Sequence, residues 1–150
     1  MDSLLNYSTL ENCLNRIDKL EKNQKKLWGK MSCDQMLNHC KKPLDLAMGN
    51  LDVPSVSWPI KILAQLFIKR KLYNNSPWVK NTRTIDVFLV KDHYSFENEK
   101  EQLKKSLMAF YKAMKNNLLK PHPYFGYFTQ DQWGKVQFKH LDHHLRQFGV

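Results

Sequence analysis

His140 and His144 stand four residues apart, in a stretch whose apolar residues recur at Trp133, Val136, Leu141, Leu145 and Phe148. On a helix that spacing stacks both rings on one face, with Cβ atoms roughly 5–6 Å apart. Two imidazoles so placed can reach one divalent ion. His39 has the same inward setting on another periodic stretch, three residues after Met36 and beside Cys40. Three imidazoles facing the inside of one domain are costly unless each ring nitrogen finds a partner. A metal takes one nitrogen of each ring, and a neighbouring polar group takes the other. Gln35, one turn before His39, and Gln147, three residues after His144, are the candidates for that second role. The competing reading is a set of hydrogen-bonded core histidines without metal.

The remaining titratable groups offer less. His143 falls on a neighbouring helix face, beside the pair or at the surface. His93 and His122 fall in loops, and Asp142 reads as a solvated carboxylate. Cys40 cannot form a dyad with His39, because adjacent helical residues point about 100° apart. Cys13, Cys33 and Cys40 include no CxxC pair, so each reads as a small buried hydrophobe. With 5 glycines the chain has no GxGxxG, Walker or GxSxG pattern.

Four helical segments must position these residues. Ser8-Thr9-Leu10-Glu11 has the form of a capping box and heads a stripe of Leu10, Cys13, Leu14, Ile17, Leu20 and Leu27. Ser32 with Gln35 heads a second stripe of Met36, Cys40, Leu44 and Ala47, with Pro43 expected to kink it or leave one backbone bond unmade. A third helix starts near Ser95, with Glu97 and Glu99 in its first turn. Its stripe runs from Leu103 through Tyr111 to Leu118, and Pro121 stops it. Thr129 with Gln132 caps the fourth, and Gly149 closes it. Between the second and third lie residues 49–94. They hold an extra helix over residues 58–73, a turn at 74–77, and a short apolar run at 85–90 that is either a strand or a connector. The extra helix is basic and amphipathic, a form seen at membrane surfaces. Its apolar residues are expected to cover the open end of the bundle or a partner subunit. The whole reads as an all-α four-helix bundle with one long, helix-containing crossover.

With 150 residues, 42% apolar and 25% charged, the chain suits a single domain over residues 1–150 and excludes a disordered or disulfide-stapled one. No apolar run approaches the roughly 18 residues of a membrane span. The start, Met1-Asp2-Ser3, lacks a signal peptide, so a cytoplasmic location is expected, with no membrane partner. A net charge of +10 invites a nucleic-acid reading, but the basic residues form no motif and no aromatic platform accompanies them. No nucleic-acid partner is expected.

Two pieces carry a family resemblance. One is the C-terminal run from His122-Pro123-Tyr124-Phe125-Gly126 to Lys139-His140-Leu141-Asp142-His143-His144-Leu145-Arg146-Gln147-Phe148. The other runs from Trp28-Gly29-Lys30-Met31-Ser32 to Gln35-Met36-Leu37-Asn38-His39-Cys40. Together they resemble the DinB/YfiT-like superfamily, and within it a branch of small bacterial proteins labelled only as a domain of unknown function. The resemblance is faint over residues 49–94. It implies a four-helix bundle of DinB/YfiT type in which His39, His140 and His144 hold a divalent metal such as zinc, nickel or iron. It also implies thiol-dependent chemistry: transfer of a low-molecular-weight thiol to an electrophilic small molecule, or isomerisation. A homodimer is expected on the same ground. The alternative is a non-catalytic bundle, with the metal structural or absent.

Overall fold

The computed structural model describes residues 1–150 and is all-helical. Its elements are α1 (Tyr7–Asp18), α2 (Cys33–Met48), α3 (Trp58–Leu63), a π-helical turn (Ala64–Ile68), α4 (Lys69–Leu72), a 3₁₀ turn (Asp86–Phe88), α5 (Phe96–Lys115) and α6 (Gln130–Gln147). The four long helices α1, α2, α5 and α6 form a bundle around one apolar cluster that includes Leu10, Ile17, Met36, Leu44, Leu107, Phe110 and Leu145. The most extensive pairing is α2 along α5. One buried polar contact locks it. Glu99 on α5 takes the Lys41 ammonium at 2.7 Å and the Asn38 amide at 3.1 Å, both from α2. No helix is long and apolar enough to cross a membrane.

Two of the three expected capping boxes form. Gln35 Oε1 accepts from Ser32 N–H at 3.0 Å, and Gln132 Oε1 accepts from Thr129 N–H at 3.0 Å. The Ser8 box does not, because α1 starts two residues earlier than that box would place it, with Asn6 as its N-cap. That helix ends at Asp18, so Leu27 lies outside it and is exposed. Leu118 likewise lies beyond the end of α5 and is exposed. Asn117, at φ +56°, has already turned the chain. Helix α2 runs on through Pro43, whose missing N–H leaves the His39 carbonyl without its usual donor. Gln137 on α6 donates to the Pro43 carbonyl at 3.0 Å and ties the two helices at that point. Gly49 then ends α2 at φ +79°, a conformation that costs glycine nothing.

The crossover differs from expectation in two ways. The run at residues 85–90 is neither strand nor plain connector, since Asp86–Phe88 coils into a 3₁₀ turn against α2. Residues 58–72 are helical as expected; Leu72 and the following Tyr73 pack against the core cluster, but the apolar side chains from Trp58 to Ile68 other than Ala64 do not cover the bundle. Only Ala64 is buried, while Trp58, Leu63, Leu66 and Phe67 face outward.

Candidate metal centre

Helices α2 and α6 lie side by side and bring three histidines together. One ring nitrogen from each of His39, His140 and His144 lies within 4.8 Å of the other two, and all three residues are buried. The nearest pair, His39 Nε2 and His140 Nε2, is 3.0 Å apart. The i, i+4 spacing on α6 sets His140 and His144 one turn apart, with ring centres 4.8 Å apart.

Hydrogen bonds fix which nitrogens face inward. His39 Nδ1 lies 2.9 Å from the Phe88 carbonyl, which can only accept, so Nδ1 carries the proton and Nε2 keeps its lone pair. His144 Nδ1 lies 2.8 Å from Gln147 Oε1. The amide orientation follows from its other end, where Gln147 Nε2 donates to the Trp28 carbonyl at 2.7 Å. His144 therefore also carries its proton on Nδ1 and turns the Nε2 lone pair inward. Gly29 makes room for this contact. Its φ is +82°, and a Cβ there would collide with the Gln147 amide.

Electrostatics keep the rings neutral. Burial pulls His39 below the ordinary imidazole range, against the opposing pull of the Phe88 carbonyl. Burial, reinforced by His144 and His39, holds His140 well below it. Burial first, then His39, brings His144 down to about 3. Neutral imidazoles with inward lone pairs are the form that binds a divalent cation. Tetrahedral arms of about 2.0–2.1 Å put ligand nitrogens roughly 3.3 Å apart, close to the spacing of the nearest pair. Three protein ligands leave a further position open for water or substrate.

Two lysines next to these histidines hold the crossover down. Lys42, three residues after His39, donates to the Val87 and Leu89 carbonyls at 2.9 and 3.0 Å, bracketing Phe88. Lys139, next to His140, donates to the Lys71 and Asn74 carbonyls at 2.8 and 3.0 Å and to Asn74 Oδ1 at 2.7 Å. Neither lysine faces a carboxylate, and burial pulls both ammonium groups down. The crossover also brings Trp78 against His140 and His143, with ring centres 5.6 and 6.2 Å apart. Trp28 also packs on His143, with ring centres 5.7 Å apart. Two indoles thus contact the one neighbouring imidazole that is not part of the triad.

Gln147 takes the place expected of it, but Gln35 does not. The Gln35 side chain serves the α2 cap and reaches the Lys91 and Asp92 carbonyls, leaving His39 to Phe88. Asp142 is not a solvated carboxylate either. It is largely covered, with Arg16 of α1 and Arg146 each 2.8 Å away. His93 is exposed beside Asp34. His122 accepts at Nδ1 from the backbone N–H groups of Tyr124 and Phe125, closing a small turn far from the triad in sequence. The three cysteines are buried and unpaired, and burial pushes the Cys13 and Cys33 thiols up to about 12. Burial disfavours the thiolate form in all three.

The chain matches, over residues 2–149, the family described as protein of unknown function (DUF1569). It belongs to that family. No curated protein and no solved structure matches it. The match covers both the second-helix and the C-terminal histidines, so the triad lies within the family's span.

Proposed function

We propose that this member of the DUF1569 family is a divalent-metal-dependent enzyme that activates a low-molecular-weight thiol for transfer to an electrophilic small molecule. His39, His140 and His144 would hold the ion. The observation that carries this reading is the pair of locked tautomers: Phe88 and Gln147 each take an Nδ1 proton, so two Nε2 lone pairs face His140 Nε2. A hydrogen-bonded core accounts for the lone pair of His39 but not for that of His144. The placing of the triad on the second and last long helices is also what the DinB/YfiT-like resemblance implies for a bundle of that type.

An ion held by neutral imidazoles keeps its full positive charge, which would favour the ionised form of a small thiol at the open position. The protein's own residues do the rest. Phe88 and Gln147 orient the rings, and Trp78 packs against His140. The three cysteines are buried, and burial disfavours their thiolates, so none stands out as a nucleophile of the protein itself. Imidazole donors suit zinc, nickel or iron.

The metal-free alternative rests on one contact. His140 Nε2–H can donate to His39 Nε2 at 3.0 Å and satisfy both without an ion. That arrangement brings no protein donor to His144 Nε2. Cobalt substitution separates the two. If an open position exists, added small thiols should shift the visible spectrum of the cobalt protein. A cobalt spectrum indifferent to thiols, or no cobalt uptake, would contradict the enzymatic reading.

A further inference from the structure

The helical segment over residues 58–72 is the largest feature that the metal centre leaves unexplained. It is contiguous through α3, the π turn and α4, which makes it roughly 22 Å long at 1.5 Å per residue. Its attachment to the bundle is narrow. Ala64 is buried, Leu72 packs against the core cluster, Lys69 donates to the Tyr127 carbonyl and lies over the Phe128 ring, and Lys139 takes the Lys71 carbonyl. The outer face is apolar and bare: Trp58 is 71% exposed, Leu66 68% and Phe67 65%, with Ile62 and Leu63 beside them. Contiguous apolar surface of this kind on a soluble fold marks a docking site.

Charge decides what docks. From Val53 to Ile85 the chain has no acidic residue, yet it carries Lys61, Lys69, Arg70, Lys71, Lys80 and Arg83. Lys61, Arg70 and Lys71 pair with no carboxylate anywhere in the structure. Arg70 follows Leu66 by four residues and Lys71 follows Phe67 by four, so the cations stand about one turn beyond the apolar face. A two-fold contact between two copies of this segment would bring together two sets of cations and no carboxylate from residues 53–85. A bilayer rich in anionic lipid supplies both things the face lacks, hydrocarbon for the indole and aliphatic groups and phosphate for the cations.

We infer that residues 58–72 form an interfacial helix that lies flat in an anionic membrane surface. The face buries Trp58, Leu63, Leu66 and Phe67 at the headgroup boundary, and Lys61, Arg70 and Lys71 meet the phosphates. The helix is too short and too charged to cross, so the attachment is peripheral and reversible. The face from Trp58 to Phe67 does not cover the bundle's end, since it is open to solvent; the other expected occupant, a partner subunit, is the outcome that the vesicle test decides against.

The test uses the full chain with two kinds of vesicle, phosphatidylcholine alone and phosphatidylcholine with phosphatidylglycerol in equal parts. Co-sedimentation is expected with the anionic vesicles and not with the neutral ones. Replacing Leu66→Glu and Phe67→Glu together should lower the bound fraction about tenfold or more. Arg70→Ser and Lys71→Ser should each weaken binding about fivefold, an effect that shrinks as salt rises. All four side chains are exposed, so unchanged circular dichroism and thermal melting should show that the bundle survives. Absence of binding to the anionic vesicles would overturn the inference, as would equal binding by the double glutamate variant. So would a dimer in solution that the glutamates split while no vesicle is bound, which would assign the face to a second copy.

Discussion

Gln147 joins His144 to Trp28: its Oε1 accepts the His144 Nδ1 proton at 2.8 Å while its Nε2 donates to the Trp28 carbonyl at 2.7 Å. One amide therefore fixes a ring on α6 and anchors the loop that leads into α2. Such partners of a liganding imidazole are worth 10- to 100-fold in metal affinity, on the order of 1–3 kcal/mol. Gln147→Leu should weaken metal binding by about that factor while the chain stays folded. Competition with a chromogenic chelator would measure it. Unchanged affinity would show that the amide plays no part in orienting the ring.

Lys42 acts on His39 through the backbone. Its ammonium brackets Phe88 from both sides, and the Phe88 carbonyl orients His39. Lys42→Met keeps the length of the side chain and removes the donors. It should loosen the 3₁₀ turn and lower metal affinity severalfold without abolishing binding. Hydrogen exchange at residues 86–90 should accelerate in the same variant. Tight binding with unchanged exchange would contradict the positioning role.

A pH effect should appear away from the triad. Burial first, then Lys69, brings His122 down to about 4, and its unprotonated Nδ1 accepts two backbone N–H groups. In the unfolded chain the same ring titrates near 6.5. The unfolded state thus binds the extra proton first. Stability is complete above about pH 6.5 and is lost as pH falls toward about 4. The loss from this residue should be roughly 2 kcal/mol at about pH 5. Urea unfolding at neutral pH and at about pH 5, for the wild type and His122→Asn, isolates it. The wild type should lose more stability on acidification than the variant, and equal losses would refute the assignment.

Much of this arrangement is legible in the chain. The four-residue step from His140 to His144 defines their shared face, and Ser32–Gln35 and Thr129–Gln132 mark two helix starts to the residue. What is not legible has physical causes. The partner of His39 is a backbone carbonyl, which carries no side-chain signature, and it arrives from a turn 49 residues away. Gln35 looked like that partner, but its side chain was already engaged by the cap that its own spacing announces. Asp142 read as solvated because nothing local pairs with it except Arg146, and Arg16 comes from another helix. Ser8 and Glu11 match the capping pattern, yet helical geometry begins at Tyr7, where the pattern no longer falls in register. Trp28 and Trp78 lie in loops whose course periodicity does not encode.

Whether His39, His140 and His144 hold one divalent ion is tested most directly by elemental analysis of protein purified without an affinity tag or chelator, alongside His39→Ala, His140→Ala and His144→Ala. About one divalent metal per wild-type chain is expected, with loss of that metal in each variant that remains folded. A wild-type protein free of metal and unable to take it up, or folded variants that retain the metal, would contradict a metal site there.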